Sequence, residues 1–157
     1  MTIVLNTSAL STFHRTNSLS MIEALFKGQE TLIPKAVVEE FLEGNFEPPS
    51  FIKRVTLNAS QISVANSITG LHVGEREAIV LAKDNNGVLI TDDREAKKKA
   101  KGLGVNVAGC LVVIKNAFLG CHIHERERDR IVEEGQAVSF WPDDIVREVL
   151  SLKKGGP

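Results

Sequence analysis

The sequence predicts an α/β fold around a mainly parallel central sheet of four to five strands. Two observations carry this. Short apolar runs alternate with stretches of helical periodicity, strand–helix–strand–helix, the pattern of parallel strands joined by crossovers. The runs at 2–5, 31–33, 88–91 and 105–107 are largely apolar on both sides rather than alternating, as expected of strands covered on both faces.

The elements follow in order. Thr2-Ile3-Val4-Leu5 is the first strand, and Asn6-Thr7-Ser8 suits its end and a helix N-cap. From Ala9 to Lys27, Leu10, Phe13, Leu19, Ile22, Leu25 and Phe26 recur at helical spacing, with a polar break at His14 to Ser18 and Gly28 as terminator. Thr31-Leu32-Ile33 is a second strand, and Pro34 stands where a helix begins. Lys35 to Glu43 reads as that helix, ended by Gly44. Glu39 and Glu40 are about 100° apart on it, so only one of the two points back over the sheet.

Asn45 to Ser50 is a loop with two prolines; Phe51 to Leu57 is a strand or edge element; Gln61 to Ile68 is a weakly marked helix. After the linker Gly70–Gly74, Glu75 to Lys83 is acidic in its first turn and apolar in its middle, a helix closed by Asn85-Asn86-Gly87. Val88 to Thr91 is the next strand. It ends on Asp92 and Asp93, and a lysine-rich helix, Arg94 to Lys101, follows at once. Val105-Asn106-Val107 is the last strand. Cys110 to Phe118 is an apolar helix packed on more than one side. His122 to Glu134 is a charged helix laced with ion pairs, and Ser139 to Lys153 is amphipathic, with a frayed tail beyond it.

The chain has 157 residues, 43% hydrophobic and 25% charged, with a net charge of −1. That suits one globular domain, residues 1–157, with the helices at about 122–153 as an extension. The near-zero charge excludes a wholly basic nucleic-acid glove; any polyanion contact must come from a local patch. Two cysteines do not make a disulfide framework and fit a reducing, cytoplasmic setting. No apolar run is long enough to span a bilayer, and the N-terminus carries no charged leader, so no membrane association and no signal peptide are expected.

In open α/β sheets ligands lie beyond the carboxyl ends of the strands. Asn6, Glu40, Glu75, Asp92 and Asp93 fall near such ends. Carboxylates gathered in one cleft repel one another unless a cation compensates, and hard oxygen ligands select Mg²⁺ or Mn²⁺. Such ions activate water and steady the charge of a phosphodiester. Each of these acids also has a plain structural reading, as a cap or first-turn helix residue.

The motifs carry a family likeness. IVLNTSAL matches a hydrophobic run followed by Asp-Thr-Ser and leucine; AVVEEFLEG matches a helix with Glu and a Gly four positions later, which selects Glu40 with Gly44; and the stretch from Leu71 to Ile114 matches a Gly-Glu helix, a strand ending in Thr-Asp-Asp, a basic helix and a Gly-containing turn. The chain thus resembles the PIN-domain family, near the branch related to VapC-type toxin ribonucleases. The resemblance implies a three-layer α/β/α fold and a metal-dependent ribonuclease, often paired with a small antitoxin and often a homodimer. It implies catalytic roles for Glu40, Glu75 and Asp93. It implies Mg²⁺ or Mn²⁺ held by these with Asn6 and Asp92. Asn6 stands where the family has its first aspartate; an amide oxygen coordinates a cation without bringing charge, so weaker metal binding and weakened activity are expected.

Arg94, Lys97, Lys98 and Lys101 lie on one side of their helix, either as a solvated face or, with Thr7, as contacts to nucleic acid. Thr7 and Ser8 also suit helix capping alone. His122 and His124 lack further ligands at zinc-like spacing, His14 and His72 read as polar loop residues, and Trp141 reads as a packing anchor. Two other functional classes fit the same chain: a non-catalytic module binding nucleic acid or a partner, and a nucleotide-binding or receiver-like domain. The second lacks a Gly-rich phosphate fingerprint after its first strand.

Overall fold

A computed structural model describes residues 1–41 and 47–154. Leu42 to Phe46 lie outside the described residues, and with them the expected end of the third helix and Gly44; so does the tail at 155–157.

Five strands, β1 (Thr2–Leu5), β2 (Glu30–Pro34), β3 (Ile52–Val55), β4 (Val88–Ile90) and β5 (Asn106–Ala108), form one all-parallel sheet in the order β3-β2-β1-β4-β5. Val4 pairs in register with Leu32 on one side and Leu89 on the other. The four expected strands are all present, and the weakly alternating stretch after Pro48-Pro49 is the edge strand β3. Lys53 and Arg54 on β3 are exposed, which discourages pairing with another edge.

The helices are α1 (Thr7–Arg15), α2 (Leu19–Leu25), α3 (Lys35–Glu40), α4 (Ala59–Ser67), α5 (Val73–Asp84), α6 (Arg94–Gly102), α7 (Cys110–Leu119), α8 (Glu125–Val138) and α9 (Asp143–Ser151). The order of strands reverses at β1. Right-handed crossovers therefore place the helix after β1 and the helices around β4 on opposite faces, giving the three-layer α/β/α arrangement that the sequence predicts. Several boundaries differ from expectation, among them α8, which runs Glu125–Val138 rather than 122–134, and two in the first unit. Asn58 caps α4 by accepting from the Gln61 N–H while the Gln61 side chain accepts from the Asn58 N–H, both at 2.9 Å; this capping box starts the helix two residues early. Helix α5 begins at Val73, so Gly74 belongs to its first turn rather than to the linker.

Two compact units divide the chain. The first, residues 1–11 and 28–109, holds the sheet. Its interior is built from Val4, Leu32, Leu89 and the buried face of α5, Ala78 to Ala82. α5 contacts β1, β2 and β4, as its continuous apolar middle demands. The second, residues 12–27 and 110–157, packs α7, α8 and α9 together. Arg128 is fully buried there: its guanidinium donates to the carbonyls of Leu150 (3.0 Å), in the last turn of α9, and Leu152 (2.8 Å), its C-cap, and stacks 4.2 Å from the Phe118 ring centroid. Trp141 is buried against Gly135, where a β-carbon would collide with its ring. Neither Cys110 nor Cys121 forms a disulfide. Among the described residues, no helix is long and apolar enough to cross a membrane.

Candidate functional site

Because β1, β2 and β4 are parallel, their carboxyl ends share one edge of the sheet, where chemistry-bearing groups gather in open α/β folds. Asn6 follows β1 and continues the sheet by donating its N–H to the Ile90 carbonyl at 3.3 Å. Its side chain is fully buried. The Oδ1 atom accepts from the Ala9 N–H (3.1 Å) and from the Ser8 hydroxyl (2.9 Å), which caps α1. The backbone donor fixes the amide orientation, so Nδ2 faces the Thr91 hydroxyl and donates to it. Thr91 Oγ1 also accepts from the Asp93 N–H at 3.1 Å. Asn6 is thus a strut between the ends of β1 and β4, with both amide atoms engaged. A metal-ligand role for Asn6 requires Oδ1 to leave the cap.

Glu40 ends α3. Its Oε1 accepts from the Gly74 N–H and its Oε2 from the Thr7 hydroxyl, both at 2.7 Å. A β-carbon at residue 74 would stand 2.5 Å from Oε2; only glycine lets this carboxylate lie on the first turn of α5. Glu39 points elsewhere and faces Lys35 across an exposed helix surface at 3.7 Å. Of the two acids, Glu40 is the one that reaches the first turn of α5. Thr7, expected at nucleic acid or at a cap, orients Glu40.

Glu75 lies in the first turn of α5, where its Oε2 accepts from the His72 N–H at 3.2 Å. Its carboxyl is held above the ordinary glutamate range, first by burial and next by the charge of Asp93, with Glu40 adding to the effect; the His72 N–H and the His72 side chain partly offset this. Glu77, one residue on from Arg76, is raised by burial and by the charges of Glu39 and Glu40. Negative charge at this edge is therefore under-compensated. Asp93 caps α6, its Oδ1 accepting from the Ala96 N–H at 2.7 Å, and it is the aspartate electrostatically coupled to Glu75. Asp92 lies beside Gly109, its Oδ1 3.1 Å from the point where a β-carbon would stand; the Lys97 ammonium is also 3.1 Å from that point. The end of β5 thus keeps a glycine where Asp92 and Lys97 converge.

The donor chemistry, three carboxylates of which one resists ionisation, fits a hard divalent cation. It is not a finished cage. Among the described residues, no three His, Cys, Asp or Glu side chains already stand as a metal-holding group. Glu40, Glu75 and Asp93 each rest on a backbone N–H instead, and Glu75 and Asp93 each spend one carboxylate oxygen, Oε2 and Oδ1, on that helix-capping bond.

Of the basic residues, Arg94, Lys98 and Lys101 are exposed and Lys97 is half-buried beside Asp92. The sequence marked Gly74 and Thr91 only as motif positions and gave no site role to them, to Gly109 or to Lys99. A glycine in the first turn of a strong helix, directly before a candidate acid, was the available signal for Gly74, because glycine there costs helix propensity without a local reason.

A family model described as DUF3368: PIN domain matches residues 2–154. Among solved structures the chain is similar to a PilT N-terminus domain protein from the hyperthermophilic archaeon Sulfolobus solfataricus P2. Identity is 22% and the TM-score 0.59, over 75% of this chain and 94% of that one. No curated protein matches.

Proposed function

Since the chain belongs to the PIN-domain family, whose members are in general metal-dependent nucleases, we propose that it is a ribonuclease that hydrolyses RNA phosphodiester bonds with Mg²⁺ or Mn²⁺. The observation that carries this reading is the gathering of carboxylates at the carboxyl edge of the sheet, with Glu40 laid on the Gly74 N–H of the same first turn of α5 that carries Glu75. In this reading Glu40, Glu75 and Asp93 hold the ion. A divalent cation supplies charge neutralisation and activates water for attack on phosphorus. Thr7 and the Gly74 N–H orient the Glu40 carboxylate, and the Asn6–Thr91 strut fixes the end of β4 on which Asp92 and Asp93 sit. Arg94, Lys98 and Lys101 offer their charges to backbone phosphates, which positions a strand without reading bases. A small antitoxin partner, a homodimer and a cytoplasmic setting belong to the same proposal and rest on the resemblance to toxin relatives.

The test is cleavage of a mixed pool of single-stranded RNA with Mn²⁺, by wild type and by Glu75→Gln. Cleavage by wild type that disappears in EDTA and in the variant supports the reading. An intact pool, unrescued by Asn6→Asp, rejects it.

A second reading has its own observation. Asn6, which by the family resemblance stands at the first aspartate position, spends both its amide atoms on internal hydrogen bonds. This favours a module that binds RNA or a partner without cutting. RNA binding in EDTA that weakens steeply with salt, with no cleavage in Mn²⁺, distinguishes it.

A further inference from the structure

Away from the carboxyl edge, the first unit holds a cavity of about 450 Å³ between the C-terminal end of α4 and one face of α6. That size suits a small organic ligand, for which pockets run from about 300 to 1,000 Å³. Its floor is apolar, with Ile68 buried and Leu103, the C-cap of α6, contributing an exposed leucine. Along α6 it is lined by Glu95, Lys98 and Lys99.

The plain reading of these three residues is a solvated helix face with Glu95 paired to Lys98 or Lys99, since the spacings are three and four residues. Those pairs do not form. Among the described residues no carboxylate lies within 4.0 Å of either ammonium. The cavity therefore presents two uncommitted cations, an apolar floor and a separate carboxylate. These needs are met together by a ligand that combines a flat base, an anionic group and an N–H donor. Carboxylates accept from exocyclic amino groups of bases.

We propose that this cavity binds a nucleoside phosphate whose base carries an amino group: the phosphate meets Lys98 and Lys99, the base lies on Ile68 and Leu103, and Glu95 accepts from the amino group. The same chemistry comes from a free nucleotide or from one unit of an RNA strand. The inference stands apart from the metal-centre reading, because it needs no ion and is tested in EDTA.

The experiment follows backbone amide signals of the full chain by NMR during titration with AMP, CMP and UMP, and separately with hexariboadenylate. AMP and CMP are expected to shift the amides of Thr69 and Leu103, with UMP weaker by about fivefold or more. The double variant Lys98→Ala/Lys99→Ala is expected to weaken AMP by about fivefold or more, and Glu95→Gln to abolish the preference over UMP. Signals elsewhere report that the variants stay folded. Silence at Thr69 and Leu103, equal binding of UMP and AMP, or a double variant within about twofold of wild type overturns the proposal. If the hexamer binds about tenfold more tightly than AMP and loses this in the double variant, the source is a strand; if it binds no better, the source is a free nucleotide.

Discussion

The Asn6 side-chain amide donates to the Thr91 hydroxyl at 2.5 Å, joining residues 85 positions apart at the ends of β1 and β4. Thr91 Oγ1 in turn receives the Asp93 N–H. A change at residue 6 therefore propagates directly to the aspartate coupled to Glu75. Asn6→Ala removes the cap on α1 and a buried partner of Thr91, and is expected to cost about 2–3 kcal/mol. Chemical denaturation checks this; a loss below about 1 kcal/mol shows that the strut carries little.

Asn6→Asp acts differently. The carboxylate keeps the Ala9 and Ser8 bonds, and the Thr91 hydroxyl rotates to donate to it. A fully buried charge is then added beside an acidic edge. Without metal the variant should be less stable than wild type at neutral pH, and Mn²⁺ should restore more of its melting temperature than it adds to wild type. Equal Mn²⁺ responses in thermal melts would show that residue 6 does not sense the ion.

Gly74→Ala places a β-carbon 2.5 Å from Glu40 Oε2. Alanine is the better helix former by about 1 kcal/mol, so stability should change little while Glu40 is displaced from the Gly74 N–H and Thr7. The expected outcome is a protein of near-wild-type melting temperature with weakened Mn²⁺ binding. Unchanged metal affinity would place Glu40 outside the site.

Most of the sheet was legible in the sequence because a strand buried on both faces has a composition as well as a period: the runs at β1, β2 and β4 hold few polar residues, whereas β5, expected to be buried like them, is an edge strand with Asn106 exposed and Val107 and Ala108 half-buried. The strand β3 was ambiguous for the converse reason. It is an edge strand with Lys53 and Arg54 exposed, and half-buried strands carry a weaker signal. At the site, residue types and their order along the chain pointed to Glu40, Glu75 and Asp93. What they could not reveal was hydrogen-bond commitment. That Asn6 spends both amide atoms inside the fold, that Glu39 faces Lys35, and that Asp92 rather than Asp93 shares the space beside Gly109 with Lys97 are facts of side-chain direction, which spacing alone does not fix.

Glu75 gives a pH signature. Its carboxyl is raised above 4.5, chiefly by burial and then by Asp93. For an acid raised by folding, stability is fully present below the unfolded value, where both states hold the proton, and is lost as pH rises through the folded value. In EDTA, Glu75→Gln should match wild type near about pH 4 and exceed it near about pH 8, because the neutral amide escapes the penalty. Denaturant midpoints across that range measure it. A variant less stable than wild type at the upper end contradicts the electrostatic account of this edge.

Arg128 tests the second unit independently. It is buried with two carbonyls at the end of α9, the neighbouring Asp129 carboxylate and one aromatic face as partners. Arg128→Ala leaves those carbonyls unmet and should cost about 3–5 kcal/mol. Arg128→Lys should not restore it, since a point-like ammonium cannot reproduce the planar fork. Full recovery with lysine would mean that charge alone suffices.

The central claim is that Glu40, Glu75 and Asp93 share one cation, and calorimetric titration of Mn²⁺ into wild type, Glu40→Gln, Glu75→Gln and Asp93→Asn tests it most directly. The expected result is one site in wild type and a loss of about tenfold or more in each variant. No heat of binding in wild type, or the same affinity in all four proteins, would contradict it.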